Sequence, residues 1–272
     1  GHDVKVIHPR YVKPYVKTNK NDTRDAEAIA EALSRPTMRF VAIKTVTQQE
    51  SRMRHRVRQR VMRERTALSN QIRGFLLDFG LPVARGRAPL RRRLPAILED
   101  GDNGLGDRGR ALLWELWHEL QGLDERLAVL DQQIAAECRA DNAARRLRTI
   151  PGIGPLTATA TVAAIGEGGD FDRARGFAAW LGLVPRHDGT GGQTRLLGIS
   201  KRGDRYLRTL YIHCARAALR TAAHHDAHWA RWALALAERR GRNVAVVALA
   251  NKLARMAWAV LTRGEHYQPQ PT

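Results

Sequence analysis

From Leu113 to Ile134 an apolar residue returns at steps of three and four: Leu113, Leu116, Leu120, Leu123, Leu127, Leu130 and Ile134. A strand cannot use that spacing, because its side chains alternate between two faces. On a helix the same residues form one sustained seam that must be covered by another helix. The seam predicts a helix from Asp107 to about Arg139. A second long helix is predicted from about Gln48 to Phe79, where Met53, Val57, Val61, Leu68, Ile72, Leu76 and Phe79 fall at spacings of three, four or seven. Between them, residues 80–106 carry Pro82, Pro89, Pro95 and five glycines, which reads as a hinge or irregular link. The pair predicts an antiparallel or dimerising coiled-coil arm, with an ordinary bundle pair as the alternative.

The flanks read differently. Val4, Val6, Val12 and Val16 suggest an extended segment over residues 4–17, with Pro9 and Pro14 interrupting any helix. An Asn or Asp in the run 18–25 caps a helix from Ala26 to Leu33, which ends before Pro36. Residues 143–220 are rich in small residues punctuated by glycine, with strand character only at Gly192–Ile199. Helical periodicity returns from Asp226 to Thr262, broken near Gly241. The expectation is a mainly α chain in three parts: an α/β edge at 1–45, a coiled-coil helical region at 46–142 and a helical C-terminal domain at 143–272.

Charge narrows the partner. Lysine and arginine total 46 against 27 acids, a formal net charge of +19. At 43% hydrophobic residues the chain has material for a core, which excludes a disordered basic tail. A folded chain this basic is suited to nucleic acid, where each neutralised phosphate releases a counterion. The arginines lie in separate clusters, Arg52–Arg65, Arg85–Arg93, Arg145–Arg148 and Arg195–Arg208, which suggests an extended contact surface. Cys138 and Cys214 form no CxxC pattern, and a reducing cytosol is the expected compartment. No membrane partner is expected, since the most apolar stretch, Val244–Leu261, is interrupted by Asn251, Lys252 and Arg255.

Three segments carry possible chemistry. In Thr149–Ala158 the run Pro151-Gly152-Ile153-Gly154 resembles the hairpin of a helix-hairpin-helix motif. There, glycine lets the backbone approach a phosphate, and N–H groups at the next helix point at it. This makes Gly152, Ile153 and Gly154 candidate DNA-binding residues. Asp22 and Asp25 stand three apart at a helix start, on one face, and oxygen ligands suit Mg²⁺; a solvated cap is the plainer reading. The loop His187–Arg195 and the basic run Lys201–Arg208 place Thr190 or Ser200 among arginines as a nucleophile on phosphorus; a β-turn followed by a basic helix is the plainer reading there. His213, His224, His225 and His228 fit no standard zinc spacing and read as solvated or structural.

Together these blocks resemble the insertion-sequence 110 transposase family. The resemblance rests on Val12–Ile29, Ile150–Pro155, Trp180–Arg186, Leu197–Arg208 and Ala250–Arg255, and spans nearly the whole chain. It implies an N-terminal resolvase-like (RNase H fold) domain with an Asp-Glu-Asp-Asp tetrad for Mg²⁺. A coiled-coil arm and a helical transposase domain with a nucleophilic serine follow. It also implies DNA cleavage and exchange, a structured guide RNA, and a homo-oligomer that assembles a composite site. Asp22 and Asp25 match the last two acids of the tetrad, and the first Asp and the Glu are expected upstream of Gly1, so that residues 1–45 read as the remnant of the resolvase-like domain. The family's serine loop corresponds to Gly189–Gly192, where Thr190 supplies the hydroxyl. Arg195, Lys201, Arg202 and Arg205 are the expected phosphate contacts. A DNA- or RNA-binding fragment that does not cut is the alternative.

Overall fold

The computed structural model describes residues 2–17, 21–38, 40–190 and 193–269. It is mainly α, as the sequence predicts. The N-terminal part pairs β1 (Val6–Ile7) with β2 (Phe40–Val41) in an antiparallel ribbon, Val6 opposite Val41. Between them lie α1 (Pro9–Val12), a 3₁₀ turn at Lys13–Tyr15 and α2 (Asp22–Ser34). The expected extended segment is therefore partly helical. Pro9 opens α1 at a position where a helix needs no N–H, and the His8 side chain caps it by accepting from the Arg10 N–H. Helix α2 starts four residues before the expected Ala26, because Asn21 accepts from the Arg24 N–H at 3.0 Å and draws Asp22 into the first turn. Ala28 and Ala32 are buried here, while Ile29, Leu33, Phe40, Val41 and Ile43 remain exposed.

The arm consists of α3 (Val46–Asp78), α4 (Arg87–Glu99) and α5 (Asp107–Ala140). Thr45 and Gln48 form a reciprocal capping box that starts α3. Helices α3 and α5 run antiparallel. Arg54 pairs with Glu137, Arg58 with Asp131 and Arg65 with Asp124, so the partners descend α5 as the arginines climb α3. Most of the predicted seam is buried: Leu113 and Leu120 cluster with Leu68, Ile72 and Leu76, Leu127 and Leu130 cluster with Val61, and Ile134 is also buried. Met53 and Phe79 do not join it and are exposed.

Helix α4 corrects the expected irregular link. Pro89 sits in its first turn, and Pro95 lies inside it. An internal proline costs about 3 kcal/mol. Leu90, Leu94, Ile97 and Leu98 bury one face against the arm, at about 2 kcal/mol each, which outweighs that cost. Arg91 adds a forked contact to Asp124, which also receives Arg87 at 3.2 Å.

The C-terminal part contains α6 (Asn142–Leu147), α7 (Pro155–Ile165), α8 (Ala174–Trp180), a hairpin of β3 (Pro185–Thr190) and β4 (Gln193–Ile199), α9 (Arg205–Thr221), α10 (His228–Arg240) and α11 (Arg242–Arg263). Strand β4 matches the expected strand, and β3 pairs with it although its sequence carries no strand pattern. Gly241, at φ 86°, separates α10 from α11 as predicted. Helix α11 packs against α6, α8, α9 and α10. By length and composition it could cross a membrane, yet half of its apolar window is buried in this core. Helices α3 and α5 also pack against α7, which joins the arm to this part.

Candidate nucleic-acid interface

A basic loop stands between β4 and α9. Lys201 holds φ at 55°, a left-handed backbone that a side-chain residue adopts only when its surroundings impose it. Those surroundings are visible. The Lys201 N–H donates to the Gly182 carbonyl at 3.1 Å. A Cβ on Gly203 would lie 1.7 Å from the Trp180 carbonyl oxygen, so the two turns interlock at backbone contact. Arg208, almost fully buried, donates from Nη1 to the carbonyls of Leu181 and Arg202, each at 2.9 Å. Asp204 caps α9 by accepting from the Leu207 N–H. Lys201, Arg202 and Arg205 project outward from this fixed frame and are exposed. In the basic run Arg208 looks like one more surface cation; its inward role is carried by tertiary position alone.

The β3–β4 hairpin rises from the same frame. Asn251 of α11 anchors its base by donating to the Leu183 carbonyl at 3.1 Å. The register sets Pro185 opposite Ile199, Asp188 opposite Arg195 and Thr190 opposite Gln193. Thr190 therefore ends β3 at the tip, and Ser200 follows β4 at the base. Five strand steps separate the two ends, about 17 Å. The hairpin thus brings Arg195 near Thr190 but holds Lys201, Arg202 and Arg205 at its far end. Gly191 and Gly192 of the expected nucleophile loop lie outside the described residues.

The Gly152–Gly154 turn joins α6 to α7, the placement a helix-hairpin-helix requires. Its contacts face inward, however. A Cβ on Gly152 (φ 81°) would lie 2.4 Å from the Cys214 carbonyl oxygen, so this glycine is needed for the approach of α9. Ile153 is buried, and its N–H donates to the Ile150 carbonyl. The Gly154 N–H faces the Cys214 sulfur, while burial pushes the Cys214 thiol up. Packing thus requires a glycine at 152, while the Gly152 backbone stays exposed and a Cβ on Gly154 would meet nothing within 4 Å.

Periodicity also missed His55, a buried polar residue on α3. Its Nδ1 lies 3.0 Å from Tyr206 Oη on α9 and its Nε2 3.0 Å from Thr159 Oγ1 on α7. Thr159 already donates its hydroxyl hydrogen to the Pro155 carbonyl. Its oxygen therefore accepts from Nε2–H, and Tyr206 donates to Nδ1, which fixes a neutral imidazole. Burial, reinforced by Arg58 and Arg54, pulls His55 down to about 4. Burial pushes Tyr206 up to about 12, so it remains a donor. This network ties the arm to the start of α9 and hence to the basic loop.

Asp22 and Asp25 share the first turn of α2, Asp22 exposed and Asp25 half-buried. Among the described residues no group of three or more His, Cys, Asp or Glu side chains is placed to hold a metal. Two carboxylates do not fill the near-octahedral shell of Mg²⁺, so they fit it only as a partial ligand set. His225 packs against the Trp229 ring at 5.4 Å.

Comparison with known proteins places the chain. Residues 144–230 match the family described as "Transposase IS116/IS110/IS902 family", and residues 1–80 match a second family described as "Transposase". The chain is 50% identical to a "Probable family 20 transposase" of Pseudomonas aeruginosa, over 99% of its own length and 80% of the relative's. It is 46% identical to the "Transposase for insertion sequence element IS1111A" of Coxiella burnetii, over 98% of its length and 74% of the relative's. A third relative, the "Transposase for insertion sequence element IS1328" of Yersinia enterocolitica, is 43% identical over 97% and 78%. The chain belongs to the IS116/IS110/IS902 family of insertion-sequence transposases.

Proposed function

We propose that this transposase breaks and rejoins DNA with the Thr190 hydroxyl at the tip of the β3–β4 hairpin. Thr190 Oγ1 attacks the scissile phosphorus and forms a threonyl phosphodiester. The bond from phosphorus to the leaving deoxyribose oxygen breaks, Thr190 gives up its hydroxyl proton to solvent, and the leaving oxygen takes one up from solvent. Attack by the hydroxyl of an exchanged DNA end reverses the step and releases Thr190. Arg195, two residues along β4 from Thr190's cross-strand partner, stabilises the charged phosphoryl oxygens. Lys201, Arg202 and Arg205 grip the flanking backbone from the rigid loop. The Gly152–Gly154 turn adds a helix-hairpin-helix contact through the exposed backbone at Gly152.

The observation that carries this reading is the register of the hairpin, in which Thr190 ends β3 opposite Gln193 at the tip while Lys201, held left-handed, lies at its base. The family resemblance supports the remaining parts. Residues 1–45 are read as the edge of an RNase H-like domain, and Asp22 and Asp25 as two of its metal-facing carboxylates. Since these two alone do not complete a Mg²⁺ shell, no step is assigned to the metal. A homo-oligomer joined through α3 and α5 brings the carboxylates of one subunit to the hairpin of another. A structured guide RNA is a second polyanion that the charge of +19 suits. The setting is the cytoplasm, on the nucleoid.

The test is strand exchange between cognate ends with Mg²⁺ present. Exchange is expected for the parent chain and for Thr190→Ser, and not for Thr190→Ala. Exchange that survives Thr190→Ala removes the assigned nucleophile. Salt-sensitive binding without any strand breakage favours the non-cutting alternative.

A further inference from the structure

Helix α3 carries eight arginines, and their contacts divide them by face. Arg54, Arg58 and Arg65 pair with acids of α5, and Arg60 pairs with Glu64. Arg73 donates to the carbonyls of Ser69 and Gly86. Arg52, Arg56 and Arg63 make no hydrogen bond or ion pair among the described residues. With Gln59 they stand at i, i+4, i+7 and i+11, which puts all four on one stripe of the helix. Chance placement along a helix would scatter the unpaired cations around it.

The stripe forms one wall of a cleft of about 360 Å³. Across from it stand Arg205 and Asp204 at the start of α9, and the floor is Ala160, Ala163 and Ala164. Four arginines meet one acid, and that acid is already occupied as the α9 cap. The small floor residues leave room for a bulky backbone. The aromatic ring of the lining, Tyr206, is tied to His55 and half-buried, so the cleft offers no free platform on which bases could stack.

We propose that this cleft binds the sugar-phosphate backbone of duplex DNA, with Arg52, Arg56 and Arg63 each neutralising a phosphate and Arg205 closing the far wall. The inference rests on the DNA-transposition reading and adds a contact surface outside the basic loop. Helical rise sets Arg52 and Arg63 about 16 Å apart along α3. A duplex advances about 3.4 Å per phosphate along one strand, so the stripe tracks about five base steps. Guanidinium groups without stacking rings hold the backbone and leave the base sequence unread.

The experiment measures binding of the full chain to a fluorescent 30-base-pair duplex of arbitrary sequence across a salt series, by anisotropy. The triple variant Arg52→Gln, Arg56→Gln, Arg63→Gln is compared with a control triple, Arg239→Gln, Arg240→Gln, Arg242→Gln, which removes the same charge from exposed positions at the α10–α11 corner. Loss of three phosphate contacts lowers the salt slope by about 3 units. That drop is expected for the stripe variant, with the control within one unit of the parent and with circular dichroism and thermal unfolding unchanged in both. Equal slopes for the two triples overturn the cleft assignment and leave the transposition reading intact, because the strand-exchange test of Thr190 does not depend on them. A slope lost only on a folded RNA hairpin overturns the choice of duplex DNA. Failure of the parent chain to bind the duplex overturns the cleft assignment as well, and the strand-exchange result then decides the wider reading separately.

Discussion

Replacing His55 by Gln should change how stability depends on pH. The imidazole is 3% exposed and held neutral between Tyr206 and Thr159. Its pKa falls from 6.5 in the unfolded chain to about 4 in the fold. A depressed histidine pKa means that the unfolded state takes up the proton first. The neutral network therefore contributes fully above pH 6.5, and the contribution declines as pH falls toward 4. Between pH 7 and pH 5, linkage with these two values removes about 2 kcal/mol. Gln cannot titrate, and truncating two buried hydrogen bonds costs about 2 kcal/mol at neutral pH. Urea denaturation of both proteins at pH 7 and pH 5 gives the double difference, in which titration of the other groups cancels. The parent should lose about 2 kcal/mol more than His55→Gln on acidification, so the gap between them nearly closes at pH 5. A gap that stays constant would refute the buried neutral imidazole.

Other perturbations address the frame and the metal. Gly203→Ala would drive a Cβ to 1.7 Å from the Trp180 carbonyl oxygen at a φ of 77°; unfolding free energy should fall by about 3 kcal/mol or more, measured by urea denaturation. Arg208→Met removes two hydrogen bonds to the Leu181 and Arg202 carbonyls; stability should fall by about 2–4 kcal/mol, and duplex affinity measured well below the melting temperature should weaken as Lys201 relaxes. Mg²⁺ titrated calorimetrically into this chain should bind only in the millimolar range, and Asp22→Asn with Asp25→Asn should abolish that signal. Tight Mg²⁺ binding would show a fuller ligand set than two carboxylates.

The long helices were legible because their signal is local and repeated. The 3-4 seam on α5 needs no knowledge of its partner, and five of its seven members are buried as the pattern demands. Helix α4 was hidden because Pro89 and Pro95 suppress local helix preference, while the burial that restores it comes from α3 and α5. Strand β3 was hidden because Pro185-Arg186-His187-Asp188-Gly189-Thr190 lacks β-branched alternation and exists through its pairing with β4. At the candidate site, sequence pattern marks exposed basic positions and cannot assign the inward-facing ones. His55 and Arg208 are polar residues turned inward, which no hydrophobic period reveals. The glycines of the 149–155 turn suggest phosphate approach from sequence alone, and the fold adds a packing demand at Gly152, where α9 comes close.

The hydroxyl that joins protein to DNA is open to direct identification. Reaction of the chain with nicked cognate ends, which trap the cleaved intermediate, followed by nuclease digestion and peptide mass spectrometry, locates the phosphorylated side chain. A nucleotide adduct on Thr190 is predicted. An adduct on Ser200 or another hydroxyl, or strand exchange with no adduct at all, would contradict the account.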